Sequence, residues 1–187
     1  GDNYMLSRSY FDSGFSRDGW DVLRGAFLHS GFNDLVPGDC SALIGGTDFG
    51  DCMNPFVTSL VDGFFGYKPD FPNGKVRIAP QFPADWTQAS IKTPDFRLRY
   101  SRSGNATTLV VRVQRDTPVE VDIPVRASGI SNVMVNGVSV AHTTLPGFGH
   151  SVVRIAASAT AGVNSTIMVT TSDTLAEVEP VSVEGIS

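Results

Sequence analysis

A glycine-rich segment, residues 39–52, carries the side chains best suited to chemistry. It contains Asp48 and Asp51, and it is too long and too rich in glycine for a simple connection between two helices. A carboxylate can act as a general acid, a general base or a nucleophile, so a functional loop is one interpretation. The alternative is a pair of ordinary loop aspartates, with Asp51 capping a helix that begins near Asn54.

The same segment contains both cysteines of the chain, Cys40 and Cys52. A disulfide bond between them would pin the loop and imply an oxidising compartment, which predicts a secreted or periplasmic location. Two unpaired buried thiols are the alternative, because sequence alone does not supply the geometry that a disulfide needs. Asn105 and Asn164 begin triplets that match the N-glycosylation pattern, which has a meaning only in a eukaryotic protein.

The charge and hydropathy of the chain argue against two classes of partner. The formal net charge is −5 and no segment is rich in Lys or Arg, so we expect neither nucleic acid nor an anionic membrane surface as a partner. No apolar stretch approaches the roughly 18 residues of a membrane-spanning helix. The first residues lack the basic start and apolar core of a signal peptide, so we expect a mature or truncated segment.

Apolar residues in the first third of the chain recur at helical spacing. Ser16 or Asp18 is expected to cap a first helix that Gly31 ends, and Asn54 with Pro55 fits the start of a second helix. The second helix is apolar around more than half of its circumference, a surface that two short helices do not cover. We therefore expect more of the protein, or a partner chain, to bury it.

From residue 75 onward the period changes to two, which is typical of strands in a half-buried sheet. Asn136 and Gly137, between two of these strands, form the strongest short hairpin signal. Several short strands at this spacing predict an antiparallel β-sandwich. The predicted strands lie at 76–78, 96–100, 109–113, 119–125, 133–135, 138–140, 152–155 and 166–169.

Four arginines alternate with apolar residues along two of these strands, which predicts that they lie on the solvated face of a sheet. They are Arg97, Arg99, Arg102 and Arg112. Glu120 or Asp122 is expected to pair with them, although surface ion pairs contribute little to stability.

Three segments carry a resemblance to a known family. Residues 60–70 read LVDGFFGYKPD, residues 73–86 read NGKVRIAPQFPADW and residues 89–96 read ASIKTPDF. They resemble the junction in bacterial six-hairpin glycosidase-like proteins, where an (α/α)6 barrel leads into a C-terminal β-sandwich. The resemblance covers residues 54–136 well, and it specifies an architecture rather than a substrate.

The resemblance implies an α+β fold: the last helices of an (α/α)6 barrel followed by an antiparallel β-sandwich. Residues 1–69 are then the barrel helices, residues 70–172 the sandwich, and residues 173–187 an acidic tail or linker. In such enzymes a catalytic carboxylate commonly comes from a loop before the last helix. Asp48 and Asp51 occupy that kind of position, which implies that one acts as the base while the acid comes from an upstream segment.

Further side chains could contact a sugar under this interpretation. Arg17 could bind a uronate carboxylate and the ring of Trp20 could stack on a sugar, although its helical register favours core packing. The aromatic residues Phe82 and Trp86 favour packing between the two parts of the chain over a carbohydrate platform. The histidines lack ligand spacing and no phosphate or dinucleotide motif is present, so we expect neither a metal nor a cofactor.

Three functions stay open at this point. The first is the C-terminal part of a glycoside hydrolase that acts on a poly- or oligosaccharide, with much of its active site supplied by an upstream segment or partner chain, so that this segment alone is inactive. The second is a polysaccharide lyase of similar architecture. The third is a noncatalytic carbohydrate-binding or structural β-sandwich module. The fold alone does not separate them, because function resides in the site.

Overall fold

A computed structural model of the protein describes residues 2–32 and 50–173. Its α-helices are α1 Asp2–Asp12, α2 Ser16–Phe32 and α3 Gly50–Thr58, and α3 continues as a π-helical stretch, Ser59–Phe64. A short 3-10 helix covers Phe71–Asn73. The strands are β1 Tyr67–Asp70, β2 Lys75–Ile78, β3 Gln88–Lys92, β4 Phe96–Ser103, β5 Ala106–Val113, β6 Thr117–Val125, β7 Ile130–Val135, β8 Val138–Ser139, β9 Thr143–Pro146, β10 Ser151–Ala159 and β11 Asn164–Thr171.

The strands form two sheets. The five-stranded sheet has the order β1-β2-β6-β10-β9, and the six-stranded sheet has the order β3-β4-β5-β11-β7-β8. Neighbouring strands run antiparallel except for β2 and β6, which pair in parallel with Val76 opposite Val119. The predicted purely antiparallel arrangement is therefore wrong at this one pair, since a strand period of two does not encode strand direction.

Alternate residues of both sheets point inward and form a single core. In β5, and in β4 from Phe96 to Tyr100, every second residue is buried, as the sequence period predicted. Arg102 was predicted on the solvated face, but it lies on the inward side of β4 and is half-buried, because it is an even number of positions from Tyr100. Leu98 and Val111 of the six-stranded sheet and Val121 and Ile155 of the five-stranded sheet are all inaccessible to solvent. Full burial of such side chains contributes about 1.5–3 kcal/mol each, so this shared core is the main source of stability.

The predicted fold class is wrong. Within the described residues the protein is mostly β, with three short α-helices, and these do not form the last part of an (α/α)6 barrel that precedes a sandwich. Part of the apolar face of the second predicted helix is covered instead by α1, α2 and the proline-rich segment 79–86, which bury Phe64, while Val57 is 52% exposed. Helical periodicity reports that a face is buried but not which neighbour buries it, and this explains the error.

Helix α1, which the sequence pattern did not predict, supplies much of that cover. Phe11 is fully buried and packs against Phe64 with ring centroids 5.4 Å apart. Its ring lies directly on the backbone of two glycines, Gly19 of α2 and Gly63 of the π-helical stretch. A Cβ atom at these glycines would come within 2.6 Å and 2.8 Å of the Phe11 ring, so the absence of a side chain lets these helical elements approach.

The second helix begins earlier than predicted. It starts at Gly50, so Asn54 is not its N-cap and Pro55 lies inside the helix. The π-helical stretch ends at Phe64, and Gly66, two positions later, has a positive φ of 68°. Its carbonyl oxygen accepts a hydrogen bond from the Ala79 N–H at 2.8 Å, and the Phe64 carbonyl accepts one from the Gln81 N–H at 2.9 Å. These bonds attach the end of the helical part to the proline-rich segment.

The predicted strands are confirmed, while β1, β3 and β9, which have four or five residues each, were missed. The hairpin at Asn136 and Gly137 is confirmed as well: both have positive φ, 52° and 81°, as a type I′ turn requires. The first predicted helix is also confirmed, but its bounds differ: it begins at Ser16 and continues past the predicted end at Gly31 to Phe32.

The helical part sits at one end of the two sheets. The side chain of Arg126, just after β6, donates a hydrogen bond to the Gly14 carbonyl, and Phe15 packs against Phe148 of the β9–β10 turn with centroids 5.5 Å apart. The proline-rich segment, which leaves β2 and enters β3, lies at the same end. The broad outer face of the six-stranded sheet makes none of these contacts.

Candidate functional site

The predicted catalytic and disulfide residues are not tested by the structure. Asp48 and Cys40 lie outside the described residues. Asp51 and Cys52 fall in the first turn of α3, but their side chains lie outside the description. Catalysis by the two aspartates and the disulfide bond therefore stay predictions.

Arg17 and Trp20 join α2 to the proline-rich segment. Arg17 forms an ion pair with Asp85. The indole of Trp20 stacks on Phe64 with ring centroids 5.0 Å apart and meets Trp86 edge-on at 4.8 Å. The helical register of Trp20 favoured packing in the core, and this packing accounts for its position. Sugar binding by Arg17 or Trp20 stays a prediction.

The aromatic junction comprises Trp20, Phe64, Phe82, Trp86 and Tyr100. Phe64 lies at its centre, 4.8 Å from Phe82 and 5.1 Å from Trp86, and Phe82 reaches Tyr100 of β4 at 4.5 Å. The expectation that Phe82 and Trp86 pack between the two parts of the chain is confirmed. Edge-to-face contacts of this kind each stabilise by about 0.5–1.5 kcal/mol beyond the area that they bury.

The two glycosylation candidates differ in accessibility. Asn105 lies at the β4–β5 turn, where its side-chain amide donates a hydrogen bond to the Thr171 carbonyl at 2.6 Å. Asn164 is exposed at the start of β11. Attachment of a glycan to Asn105 would break an internal hydrogen bond, whereas Asn164 has no such constraint; modification at either stays a prediction.

The outer face of the five-stranded sheet carries an ion-pair network around Asp122. The Arg154 Nε and Nη2 atoms each donate to this carboxylate at 2.8 Å, and the Arg77 Nε donates at 2.7 Å. Glu120 lies beside them, 3.5 Å from the Arg154 Nε. Although burial alone would raise the pKa of Asp122, the hydrogen bonds and charges of Arg154 and Arg77 lower it below its usual range.

The outer face of the six-stranded sheet carries a second set of cations, here named the basic surface. Its members are Lys92 of β3, Arg97 and Arg99 of β4, and Arg112 of β5. Lys92, Arg97 and Arg99 are exposed and Arg112 is half-buried. None of the four forms an ion pair with a carboxylate in the part of the chain that the structure describes.

The predicted partners of these arginines are therefore wrong. Glu120 and Asp122 belong to the other sheet, where they neutralise Arg77 and Arg154. The reason is the topology: β6, which carries both acids, pairs with β2 and β10 rather than with β5. Strands β5 and β6 follow one another in the chain, and the sequence gave no indication that they belong to different sheets.

Strand register places three of the cations in one row. Lys92 is directly opposite Arg97, Arg97 is directly opposite Arg112, and Arg112 is opposite Asn164. Side chains opposite one another in antiparallel strands have Cβ atoms about 4.5–5.5 Å apart, and like charges in such positions destabilise a sheet. Arg99 follows one step along β4, and it lines the same shallow groove as Arg97, Arg112 and Asn164.

The row lies at the end of the strands that is remote from the helical part. Arg97 is near the start of β4, whereas Phe82 of the proline-rich segment contacts Tyr100, three positions further along the strand. At a rise of about 3.3 Å per residue, these two positions of β4 are about 10 Å apart. Gln88, Ser90, Ser101, Thr108 and Thr166 share the open face with the cations, as the register shows. The face therefore combines fixed positive charge with hydroxyl and amide groups.

This arrangement can bind an anion, while the described residues offer little for other chemistry. Within residues 2–32 and 50–173, no group of His, Cys, Asp or Glu side chains is placed to hold a metal ion. No helix among those residues is long and apolar enough to cross a membrane. The signal for the basic surface was present in the sequence: Arg97 and Arg99 share a period of two, and the turn at Gly104 brings Arg112 opposite Arg97.

Comparison with known proteins adds no assignment to this geometry. No protein-family model matches the chain, and no curated protein shows significant similarity to it.

Proposed function

We propose that this chain contains a noncatalytic carbohydrate-binding module of a carbohydrate-active enzyme, and that the module holds a polysaccharide on the open face of the six-stranded sheet. One observation carries the proposal: this face presents polar and charged side chains in register across β3, β4, β5 and β11, and no described helix covers it.

The packing of the helical part supports this assignment. Its contacts go to the proline-rich segment, to β1 and to the β9–β10 turn, all away from the open face. Such a face, formed by one strand of five residues and three strands of eight, suits an extended chain molecule better than a small compact ligand, for which pockets are concave and mostly apolar.

The side chains on the face match the chemistry of sugars. Each Ser or Thr hydroxyl can both donate and accept a hydrogen bond, and the amides of Gln88 and Asn164 add further donors and acceptors. Ser90 lies opposite Arg99 and Ser101 lies opposite Thr108, so these groups form continuous rows.

The buried carboxylate of Asp122 does not fit the role of the acid in glycoside cleavage. Cleavage of a glycosidic bond needs one carboxylic acid whose pKa is raised, so that it stays protonated at neutral pH. Asp122 has the opposite property, because its two arginine partners lower its pKa. The hydrolase and lyase alternatives depend on Asp48, Asp51 or an upstream segment, and they stay predictions.

The test is to measure binding and turnover with the same panel of soluble polysaccharides, neutral and acidic. Affinity electrophoresis of the whole 187-residue chain is expected to show retardation by at least one polysaccharide. Assays for reducing ends and for the absorbance of unsaturated lyase products are expected to show no turnover. Turnover that disappears in Asp48→Asn or Asp51→Asn would overturn the noncatalytic assignment, and failure to bind any polysaccharide would overturn the proposal as a whole.

A further inference from the structure

We propose that the ligand of the open face is an acidic polysaccharide, and that the basic surface selects the carboxylate groups of its uronate residues. This inference rests on the proposed function and names its ligand class. It is carried by the like-charged row Lys92, Arg97 and Arg112, with Arg99 beside it.

The arrangement of the row is the first argument. Two successive cross-strand pairs, Lys92 with Arg97 and Arg97 with Arg112, place positive charge directly opposite positive charge. Such pairs destabilise a sheet, and a bound anion removes the repulsion. The row spans three neighbouring strands, β3 to β5, so it covers about 10 Å at the usual strand spacing of about 4.8 Å. A chain that crosses the strands can thus bring more than one carboxylate to it.

The other sheet of the same molecule provides an internal comparison. Its outer face also carries cations, but Arg77 and Arg154 there contact Asp122 and Glu120. Asp95, which precedes β4, lines a different groove with Tyr67 and Val76 and makes no ion pair with the basic surface. The chain has a net charge of −5, so acidic residues are plentiful; the described part of the chain nevertheless places none against this row. The countercharge is therefore expected from the ligand.

The identity of the cations favours carboxylates. Three of the four are arginines, whose planar guanidinium group donates two parallel hydrogen bonds to a carboxylate. Lys92, at the end of the row, contributes a point charge without this geometric preference. Sulfate groups can also pair with a guanidinium group through two of their oxygens, so the comparison with a sulfated chain of equal charge decides between the two anions.

Nucleic acid fits the face less well. Single strands are held largely by stacking of bases on aromatic side chains. The outward positions of β3, β4, β5 and β11 carry Ser, Thr, Gln, Asn, Val, Met, Lys and Arg but no aromatic residue. The same absence removes a stacking platform for neutral sugars, which leaves charge as the main source of selectivity.

The experiment uses one polysaccharide in two charge states: polygalacturonate and its fully methyl-esterified form. Esterification removes the carboxylate charge and leaves the sugar chain unchanged. Calorimetric titration of the whole chain is expected to show binding of the acid form and at least tenfold weaker binding of the ester. Affinity for the acid form is expected to fall steeply with salt, because the Debye length shortens from about 8 Å at 0.15 M to about 3 Å at 1 M.

Matched variants locate the site. Arg97→Gln combined with Arg112→Gln is expected to weaken binding of polygalacturonate about tenfold or more, as the loss of charge-assisted contacts requires. Lys75→Gln combined with Arg24→Gln removes the same charge from the other sheet and from α2, and it is expected to leave affinity within about twofold. Thermal melts of both double variants check that each is folded.

The outcomes separate this inference from the proposed function. Equal binding of acid and ester forms would overturn selection of carboxylates while a carbohydrate-binding function stands. Equal weakening of polygalacturonate binding by both double variants would overturn the specific site in favour of general charge attraction. Equally tight binding of dextran sulfate or of a DNA oligonucleotide would do the same. Binding of neutral polysaccharides alone would also refute the inference, and absence of all polysaccharide binding would refute the proposed function with it.

Discussion

Replacement of Asp122 by asparagine tests how the two sheet faces differ. The Asp122 side chain is 2% exposed and accepts hydrogen bonds from Arg77 and Arg154. Hydrogen bonds to charged groups contribute about 1.5–3 kcal/mol each when fully buried. The two arginine side chains are 41% and 35% exposed, so water screens part of this energy, and asparagine retains one acceptor oxygen. We expect Asp122→Asn to lower the free energy of unfolding by about 2 kcal/mol.

The pH dependence of this loss gives the sharper check. Because the pKa of Asp122 is lower in the folded protein than in the unfolded chain, its ionic contribution is present above the unfolded value of about 3.9 and disappears as pH falls through the folded value. The difference between wild type and Asp122→Asn is therefore expected to be full at pH 7 and to shrink as pH falls below about 4.

Urea unfolding at a series of pH values measures both quantities, with Asp21→Asn as the control. Asp21 is exposed on α2 and makes no ion pair with a described residue, so its replacement is expected to change stability by less than about 0.5 kcal/mol. A loss below about 0.5 kcal/mol for Asp122→Asn at pH 7, or a loss that does not depend on pH, would refute the reasoning.

Two further predictions concern glycines, and each has a matched control measured by urea unfolding. Gly66→Ala is expected to lower the free energy of unfolding by about 3 kcal/mol or more, because its positive φ costs about 1–2 kcal/mol and the new Cβ would lie 2.1 Å from a backbone carbonyl group. Gly74→Ala, with φ of 66° but open space around it, is expected to lose only the free energy that the positive φ costs. Equal losses of stability in the two variants would contradict the close approach at Gly66. Gly63→Ala is expected to destabilise by about 1–3 kcal/mol, because its Cβ would come within 2.8 Å of the Phe11 ring. Gly25→Ala, in the open part of α2, is expected to stabilise by about 0.5–1 kcal/mol, and a gain at both sites would show that α1 does not pack as described.

The sequence predicted the strands well and the helical neighbourhood badly, for one physical reason. A strand such as β4 shows its buried face directly, because Phe96, Leu98 and Tyr100 alternate with polar residues. The helical stripe around Phe64 also indicated burial, but burial is satisfied equally by barrel helices or by Phe82 and the proline-rich segment. The choice between them is made by tertiary contacts that no local pattern contains.

The candidate site shows the same limit at the level of charge. The period of two predicted that four arginines of β4 and β5 face solvent, and the structure confirms the outward placement of Arg97, Arg99 and Arg112. The prediction was wrong for Arg102, which lies on the inward side of β4. Their ion-pair partners were predicted wrongly, because the assignment of β6 to the other sheet is a matter of topology. Register between β4 and β5 could have been derived from the turn at Gly104. The lack of carboxylate partners for these arginines becomes evident only when the structure places Glu120 and Asp122 on the other sheet.

The central claim is that the open face of the six-stranded sheet binds a polysaccharide through the basic surface. The most direct test is a titration of the isotope-labelled chain with an oligomer of galacturonic acid, followed by the chemical shifts of the backbone amides. We expect the shift changes to cluster on β3, β4, β5 and the start of β11, with the largest near Arg97 and Arg112. Changes that cluster at the aromatic junction or around Asp122, or no changes at all, would contradict the claim.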